Sequence, residues 1–153
     1  MMPRRLAALA IAAAVTAAVP AQSQQGGGRP TPPSGEAVIP KAQKIFPTDV
    51  QWTLALFNGK PPGPDRPTIL VDGQFRARGF GGCNTFSAAA YPMAGQRFAV
   101  GPIAATRKAC PKEVMDAEKA FLVAFRTAQA WDTKDGYLII ADQGGEMRFV
   151  RAL

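Results

Sequence analysis

Gly79-Phe80-Gly81-Gly82-Cys83-Asn84 is the segment around which the rest of this chain is arranged. Its three glycines within four residues indicate a backbone that bends sharply or approaches another group closely. The second of the chain's two cysteines lies well downstream, in Ala105-Thr106-Arg107-Lys108-Ala109-Cys110-Pro111. The first segment is therefore either a structural corner or a reactive loop that carries a cysteine. Residues elsewhere in the chain distinguish the two.

The composition is that of one soluble globular domain. The chain has 153 residues, of which 47% are hydrophobic and 19% charged, as in ordinary globular proteins. Its formal net charge is +7, but the basic residues are scattered rather than clustered on one predicted face, so we expect no nucleic-acid partner. The surplus charge is compatible with weak attraction to anionic lipid or polysaccharide.

The chain contains no histidine. This absence excludes Ser-His-Asp and Cys-His nucleophilic machinery and the commonest zinc sites. The two cysteines do not form a Cys-x-x-Cys pair, so a thioredoxin-like redox centre is not expected either. We therefore predict no catalytic residue, no metal and no cofactor, and a protein that is not an enzyme.

Residues 1–21 are typical of a secretory signal peptide. Arg4 and Arg5 supply a positive start, residues 6–19 form an apolar run, and Val19-Pro20-Ala21 offers small residues for cleavage. The apolar run is shorter than the roughly 20 residues that cross a bilayer, so we expect no stable membrane insertion after cleavage. No cysteine follows the run, which excludes a lipid-modified N-terminus. The sequence thus predicts a periplasmic or secreted protein.

Residues 22–48 are typical of a disordered linker, and residues 49–153 of a folded domain. The linker contains three consecutive glycines and five prolines and has few apolar residues to bury.

The domain has the pattern of an antiparallel sheet curled over a single helix. Alternating apolar and polar residues predict about seven short strands. Asp72-Gly73 predicts a two-residue type I′ hairpin turn, and the strand after it places Phe75 beside Ala77 on the core face. Residues 111–128 predict the helix, with Pro111 at its first position. An apolar stripe on this helix is formed by Val114, Ala117, Phe121, Phe125 and Ala128.

Ordered motifs along the domain match a known family. They are Trp52-x-Leu54, Asn58-Gly59, Gly82-Cys83-Asn84-x-Phe86, Tyr91, Gly101-Pro102-Ile103-Ala104, Thr106-x-x-x-Cys110 and Met115-x-x-Glu118-x-x-Phe121. With this set the domain resembles the META domain family, which includes the bacterial heat-shock protein HslJ. The resemblance implies an α+β fold in which a curved, barrel-like antiparallel sheet of about seven strands packs on one helix. It also implies an exported or membrane-attached protein linked to heat-shock and antibiotic-tolerance phenotypes, without an agreed catalytic activity.

Cys83 and Cys110 form the simplest candidate for a disulfide, because an isolated cysteine pair in an oxidising compartment is usually crosslinked. The loop between them contains 26 residues. Two free buried thiols or a reactive Cys83 on its glycine corner are the alternatives.

Asn84, Thr106 and Glu118 form the candidate polar cluster. Glu118 falls on the apolar stripe of the predicted helix, where a carboxylate must be hydrogen-bonded or protonated because burying it unpaired is too costly. The cluster is either a ligand-binding or catalytic site, or a buried hydrogen-bond network that fixes the corner against the helix. We favour the network, since a lone carboxylate lacks the acid–base pairing of hydrolases.

The function that these observations favour is a non-enzymatic, monomeric module of the cell envelope that binds an unidentified protein or envelope component. Residues 58–67, a loop with four prolines, are the candidate surface, although a plain connecting loop is the favoured interpretation of them. A protease-inhibitor-like protein and a carrier of a small apolar ligand, held in a cavity of the curled sheet, are alternatives. An enzyme that uses Cys83 or Glu118 is the least favoured one.

Overall fold

The computed structural model describes residues 43–152, which form nine strands and one α-helix. The strands are β1 (Gln51–Phe57), β2 (Thr68–Val71), β3 (Arg76–Phe80), β4 (Thr85–Met93), β5 (Arg97–Val100), β6 (Ala104–Ala105), β7 (Ala130–Lys134), β8 (Tyr137–Ala141) and β9 (Glu146–Arg151). The helix α1 spans Lys112–Thr127. The predicted signal peptide, residues 1–21, and residues 22–42 of the predicted linker lie outside the described residues.

The sheet closes on itself as an antiparallel ring. β1 to β4 pair in chain order, and the ring continues through β5, β7, β8 and β9 back to β1. The short β6 pairs with β4 beyond the end of β5. The prediction of an α+β fold, with a barrel-like antiparallel sheet on one helix, is therefore confirmed. The described residues contain nine strands rather than about seven, and one of the additional strands, β6, has only two residues, too few for the alternation pattern to reveal.

The barrel interior is filled by side chains from alternate strand positions and from α1. Phe121 and Phe125 enter from the helix and are almost fully buried. Their rings pack edge-to-face on Phe86 of β4, with centroids 5.9 and 5.7 Å away. Gly79 allows β3 to lie close to β2, because a Cβ at this position would come within 1.9 Å of the Thr68 carbonyl oxygen.

The two ends of the barrel differ in what covers them. One end, which we call the helix end, carries the loops 58–67, 81–84, 101–111 and 142–145, and α1 lies across it. The opposite end, which we call the far end, carries the shorter connections and residues 43–49. None of the helical structure in residues 43–152 is long and apolar enough to cross a membrane.

Phe46 shows that packed structure begins before residue 49, inside the predicted linker. Its side chain is 7% exposed and lies at the far end against Phe98 and Trp131, with ring centroids 5.7 and 5.1 Å away. Val50 also packs against the core. The domain boundary was predicted between residues 48 and 49 because of the prolines before it. Proline content does not indicate that one aromatic side chain among them, that of Phe46, is buried.

The prediction of a two-residue type I′ turn at Asp72-Gly73 is wrong. Oδ1 of Asp72 accepts hydrogen bonds from the backbone N–H groups of Gln74 and Arg76, at 2.9 and 3.0 Å, and these bonds close a longer loop. Phe75 adopts a left-handed φ of 60° within this loop. Its side chain is consequently 43% exposed instead of lying on the core face beside Ala77.

Candidate functional site

Glu118 is buried on α1, with its carboxylate at the corner formed by residues 81–84. Its Oε1 accepts hydrogen bonds from the backbone N–H groups of Cys83 at 3.2 Å and Asn84 at 2.6 Å. Its Oε2 accepts one from Nδ2 of Asn84 at 2.7 Å. The side chain is 7% exposed, and these three donors satisfy a carboxylate that burial would otherwise destabilise.

The side-chain amide of Asn84 links this carboxylate to the second cysteine segment. Its Oδ1 accepts hydrogen bonds from Oγ1 of Thr106 at 2.9 Å and from the backbone N–H of Lys108 at 2.7 Å. Oγ1 of Thr106 accepts another from the backbone N–H of Thr85 at 3.2 Å. The structure therefore brings together all three members of the predicted polar cluster, Asn84, Thr106 and Glu118.

Cys83 and Cys110 form a disulfide, and the described residues contain no free cysteine. The bond joins the corner to the residue that precedes Pro111, the N-cap of α1. The crosslink expected from the isolated cysteine pair is thus present, and the structure leaves no thiol on the glycine corner.

Gly81 is required by the close approach of Glu118 to the corner. A Cβ at Gly81 would lie 2.5 Å from Oε1 of Glu118, well inside van der Waals contact. The next residue, Gly82, has a φ of +123°, which side-chain-bearing residues rarely adopt. The glycines therefore let the chain bend around the carboxylate and present two successive N–H groups to it.

The geometry of Glu118 suits a fixed structural acceptor. General acid or base catalysis requires a group within reach of a substrate, whereas both oxygens of this buried carboxylate already accept bonds from Cys83 and Asn84. Within residues 43–152, no three His, Cys, Asp or Glu side chains come together as a metal site.

A surface trough runs along one side of α1, next to this junction. One part, of about 400 Å³, lies between the first half of α1 and the proline-rich loop 58–67. The other part, of about 440 Å³, lies between the second half of α1 and the loop 142–145. Both parts are lined by Phe57 and Ala120. We call the two parts together the helix trough.

The lining of the helix trough is mainly apolar. Phe57 of β1 and the prolines of loop 58–67 form one side, and α1 forms the other with small or exposed side chains. Val123 is 55% exposed. Ala117, which the sequence placed on the buried stripe of the helix, is exposed here, while Phe121, Phe125 and Ala128 of that stripe are buried as expected.

Acidic groups predominate at the rim of the helix trough. The charged lining residues are Asp65, Glu113, Asp116, Asp142 and Glu146 on the acidic side, and Lys60 and Lys119 on the basic side. Asp142 is held in its charged form. A hydrogen bond from the Thr127 hydroxyl and, next in size, one from the backbone N–H of Gly144 lower the pKa of this carboxyl.

The sequence located one wall of the trough and missed the other. Loop 58–67, the predicted candidate surface, forms one side of it, but the outer side of α1 and residues 142–146 were not expected to take part. Ala117, Ala120 and Ala124 are the signal that could have found it, because small side chains at three- and four-residue spacing leave room beside a helix.

Comparisons with known proteins agree with this architecture. The chain matches the META domain family over residues 46–153. It is similar in fold to a protein from Burkholderia xenovorans solved by NMR, with a TM-score of 0.58 and 22% identity over 81% of this chain and 99% of that one. A second NMR structure has a TM-score of 0.54 and 20% identity over 66% of this chain and 87% of that one. No curated protein sequence matched the chain. The family match covers the whole barrel and its helix, and the chain therefore belongs to the META domain family.

Proposed function

We propose that this protein is an exported, non-enzymatic META-domain module that binds a polypeptide segment of an envelope protein in the helix trough. The observation that carries the proposal is the trough itself. An apolar floor framed by a proline-rich loop and a charged rim is the usual character of a recognition surface. The polar cluster adjoins the trough, since Gly81, which lies against Glu118, and the next residue, Gly82, line it.

The closed barrel favours binding in a groove over other modes of peptide recognition. A peptide can extend a sheet only where a strand edge is free. In residues 43–152 each strand of the ring has a partner on both sides, although β5 and β7 pair only at Arg97 and Ala130. The strand outside the ring, β6, pairs only with β4, and its two residues are too few to hold a peptide. A partner segment is therefore recognised through its side chains, in the trough.

Export is part of the proposal. The signal-like residues 1–21 support it, and so does the disulfide between Cys83 and Cys110, since such bonds persist in oxidising compartments. We propose a periplasmic or secreted, monomeric protein without a nucleic-acid partner or membrane insertion, with the stress-related role that the family resemblance implies.

A small apolar ligand is the second candidate for the trough. The part beside loop 58–67, at about 400 Å³, is within the usual size of small-molecule sites. Such a ligand would lie in the trough and not in the barrel interior, which Phe86, Phe121 and Phe125 fill.

Photo-crosslinking tests where the partner binds. A photoreactive phenylalanine analogue replaces Ala120 in the trough or Asp135 in the β7–β8 turn at the far end, and the full chain is expressed with its own signal. We expect crosslinks at position 120, and a synthetic peptide with the crosslinked sequence should shift the NMR signals of Phe57 and Ala120. Equal crosslinking at position 135, or no shift with the peptide, would refute binding in the trough.

The mass of the protein recovered outside the cytoplasm tests export. We expect a mature chain that begins at Gln22, whereas a protein that keeps residues 1–21 and stays in the cytoplasm would contradict this part of the proposal.

A further inference from the structure

The helix trough holds a disproportionate share of the acidic side chains. Five of the ten acidic residues in residues 43–152 line it, but only two of the fourteen basic residues do. The lining is thus net negative on a chain whose formal charge is +7. A charge pattern of opposite sign to the rest of a protein selects its partner by charge complementarity.

Two of the five acidic groups already have basic neighbours. Asp116 forms a salt bridge with Lys112, one turn earlier on α1, and Glu146 forms one with Arg148, at 2.6 Å. Both pairs are substantially exposed. Among the described residues, Asp65, Glu113 and Asp142 have no salt-bridge partner within 4.0 Å. Asp65 and Glu113 are therefore available to a ligand, whereas both oxygens of Asp142 already accept hydrogen bonds, from Thr127 and Gly144.

The dimensions of the trough suit an extended polypeptide. Its α1 side runs from Glu113 to Thr127, which is about 20 Å at 1.5 Å per helical residue. An extended chain covers about 20 Å with six residues. Because successive side chains of such a chain point to opposite sides, apolar ones can meet the floor at Phe57 and Ala120 while the others lie along the acidic rim.

We propose that the occupant of the helix trough is a basic, apolar polypeptide segment of another protein, in which lysine or arginine alternates with apolar residues. This inference rests on the proposed function and adds the chemistry of the partner. The chain's own barrel does not offer such a segment, because exposed basic residues such as Arg76 and Arg78 lie on β3, within the paired sheet.

Three synthetic octapeptides test the inference on the full exported chain labelled for NMR. Leucine alternates with lysine in the first, with serine in the second and with glutamate in the third. We expect the lysine peptide to shift the amide signals of Ala117, Ala120 and Gly145 and to bind at least about fivefold more tightly than the serine peptide, with the glutamate peptide weakest. The advantage of lysine should shrink as salt rises from about 0.01 M to about 1 M.

Glu113→Gln and Asp65→Asn identify the carboxylates that matter. Each change should weaken binding of the lysine peptide about two- to fivefold, as expected for exposed charge pairs, and should leave the serine peptide unaffected. Asp135→Asn at the far end is the matched control and should change neither. All three positions are exposed, so the variants keep the fold.

The possible results separate this inference from the proposed function. Equal binding of all three peptides in the trough would overturn the charge preference and leave the trough as the binding site. No trough shift with any peptide would overturn both. Trough shifts that follow protein concentration alone would identify a second copy of the chain as the occupant. Contacts from residues 22–42 would identify the chain's own segment, and binding of decanoate without binding of peptides would identify a small ligand. Each of those would overturn the inference.

Discussion

Glu118 shows how one residue can carry a charge into the interior of a small domain. Its three hydrogen-bond donors come from Cys83 and Asn84; no basic side chain is among them. The carboxylate thus replaces the hydrogen bonds that the tight corner cannot make with its own backbone. Removing the carboxylate leaves buried N–H donors without acceptors, and the desolvation of such unpaired donors costs more free energy than the hydrogen bond itself contributes to stability.

Glu118→Ala should therefore lower the free energy of unfolding by about 3 kcal/mol or more. Urea denaturation measures this loss. Lys119→Ala, the exposed neighbour on α1, is the control and should stay within about 0.5 kcal/mol of the wild type. A Glu118→Ala protein with unchanged stability but altered peptide binding would show that this carboxylate serves recognition instead.

Gly81→Ala should destabilise the protein by about 1–3 kcal/mol, because the added methyl group would press on Oε1 of Glu118. Gly63→Ala is the matched control, since a Cβ at Gly63 meets nothing within 4 Å and should be close to neutral. Thermal or urea unfolding of both variants compares them. Equal effects would mean that the carboxylate moves aside at no cost.

The two Asp-Gly hairpins of the sheet have turns of different length. Asp135 and Gly136 have φ values of 51° and 80° and join β7 to β8 by a two-residue turn, as this dipeptide favours. Asp72 instead uses its side chain to accept the N–H groups of Gln74 and Arg76. The dipeptide alone does not determine the turn type, because the residues that follow it decide whether the carboxylate finds other donors.

Asp72 should make the β2–β3 hairpin sensitive to acid. The backbone N–H of Arg76, foremost among several donors, lowers the pKa of this carboxyl below its usual value of 3.8. A carboxyl whose pKa is lower in the folded than in the unfolded protein stabilises the fold at pH values above its unfolded pKa. This contribution is lost as the pH falls through its pKa in the folded protein. Asp72→Asn should thus be less stable than wild type at neutral pH, and the gap should close below about pH 3.8.

Urea unfolding of the wild type and Asp72→Asn at a series of pH values measures this gap. Asparagine retains Oδ1 as an acceptor, so the comparison isolates the charge. A gap that stayed constant down to the acid limit would contradict the prediction.

The disulfide ties two elements together, the corner after β3 and the start of α1. Replacing both Cys83 and Cys110 by alanine should lower the free energy of unfolding by about 3–4 kcal/mol, the entropy of closing a loop of this length. Wild-type protein treated with a dithiol should lose a similar amount. Thiol labelling of the unfolded, unreduced wild type should find no free cysteine, and two labelled thiols would disprove the bond in solution.

Local patterns predicted α1 and the place of Glu118 on it, whereas the family resemblance marked Asn84 and Thr106, which lie far from Glu118 in sequence. The predicted helix, residues 111–128, has ends within one residue of the observed ends of α1. The position of Glu118 on the apolar stripe of this helix predicted a buried, hydrogen-bonded carboxylate. These features could be predicted because they depend on residues close in sequence. The second wall of the trough could not, since residues 142–146 meet α1 only after the barrel has closed.

At the scale of the whole molecule, the barrel is covered at both ends by elements outside the ring. α1 lies across the helix end, and Phe46 lies at the far end against Phe98 and Trp131. The sequence indicated the helix because sixteen residues carry a periodic signal. A single buried aromatic ring in a proline-rich stretch carries none.

Phe46→Ala should lower the free energy of unfolding by about 3 kcal/mol, because it leaves a cavity between Phe98 and Trp131. Ile45→Ala changes the neighbouring side chain, which is 89% exposed, and should have little effect. Thermal unfolding of both variants makes the comparison. If Phe46→Ala unfolded like the wild type, the barrel would be stable without its cover at the far end.

The closure of the ring between β1 and β9 also fixes how the domain can be attached to anything else. The backbone N–H of Ala152 donates to the carbonyl of Gln51 at 2.9 Å, so the two strands that border the domain in sequence lie side by side, and both meet the far end. A fusion partner, a tag or a solid support joined at residue 43 or residue 152 would therefore leave from the pole opposite the helix trough. The protein could be immobilised through either junction with its proposed binding surface facing the solution, which would suit it to capture of the proposed partner.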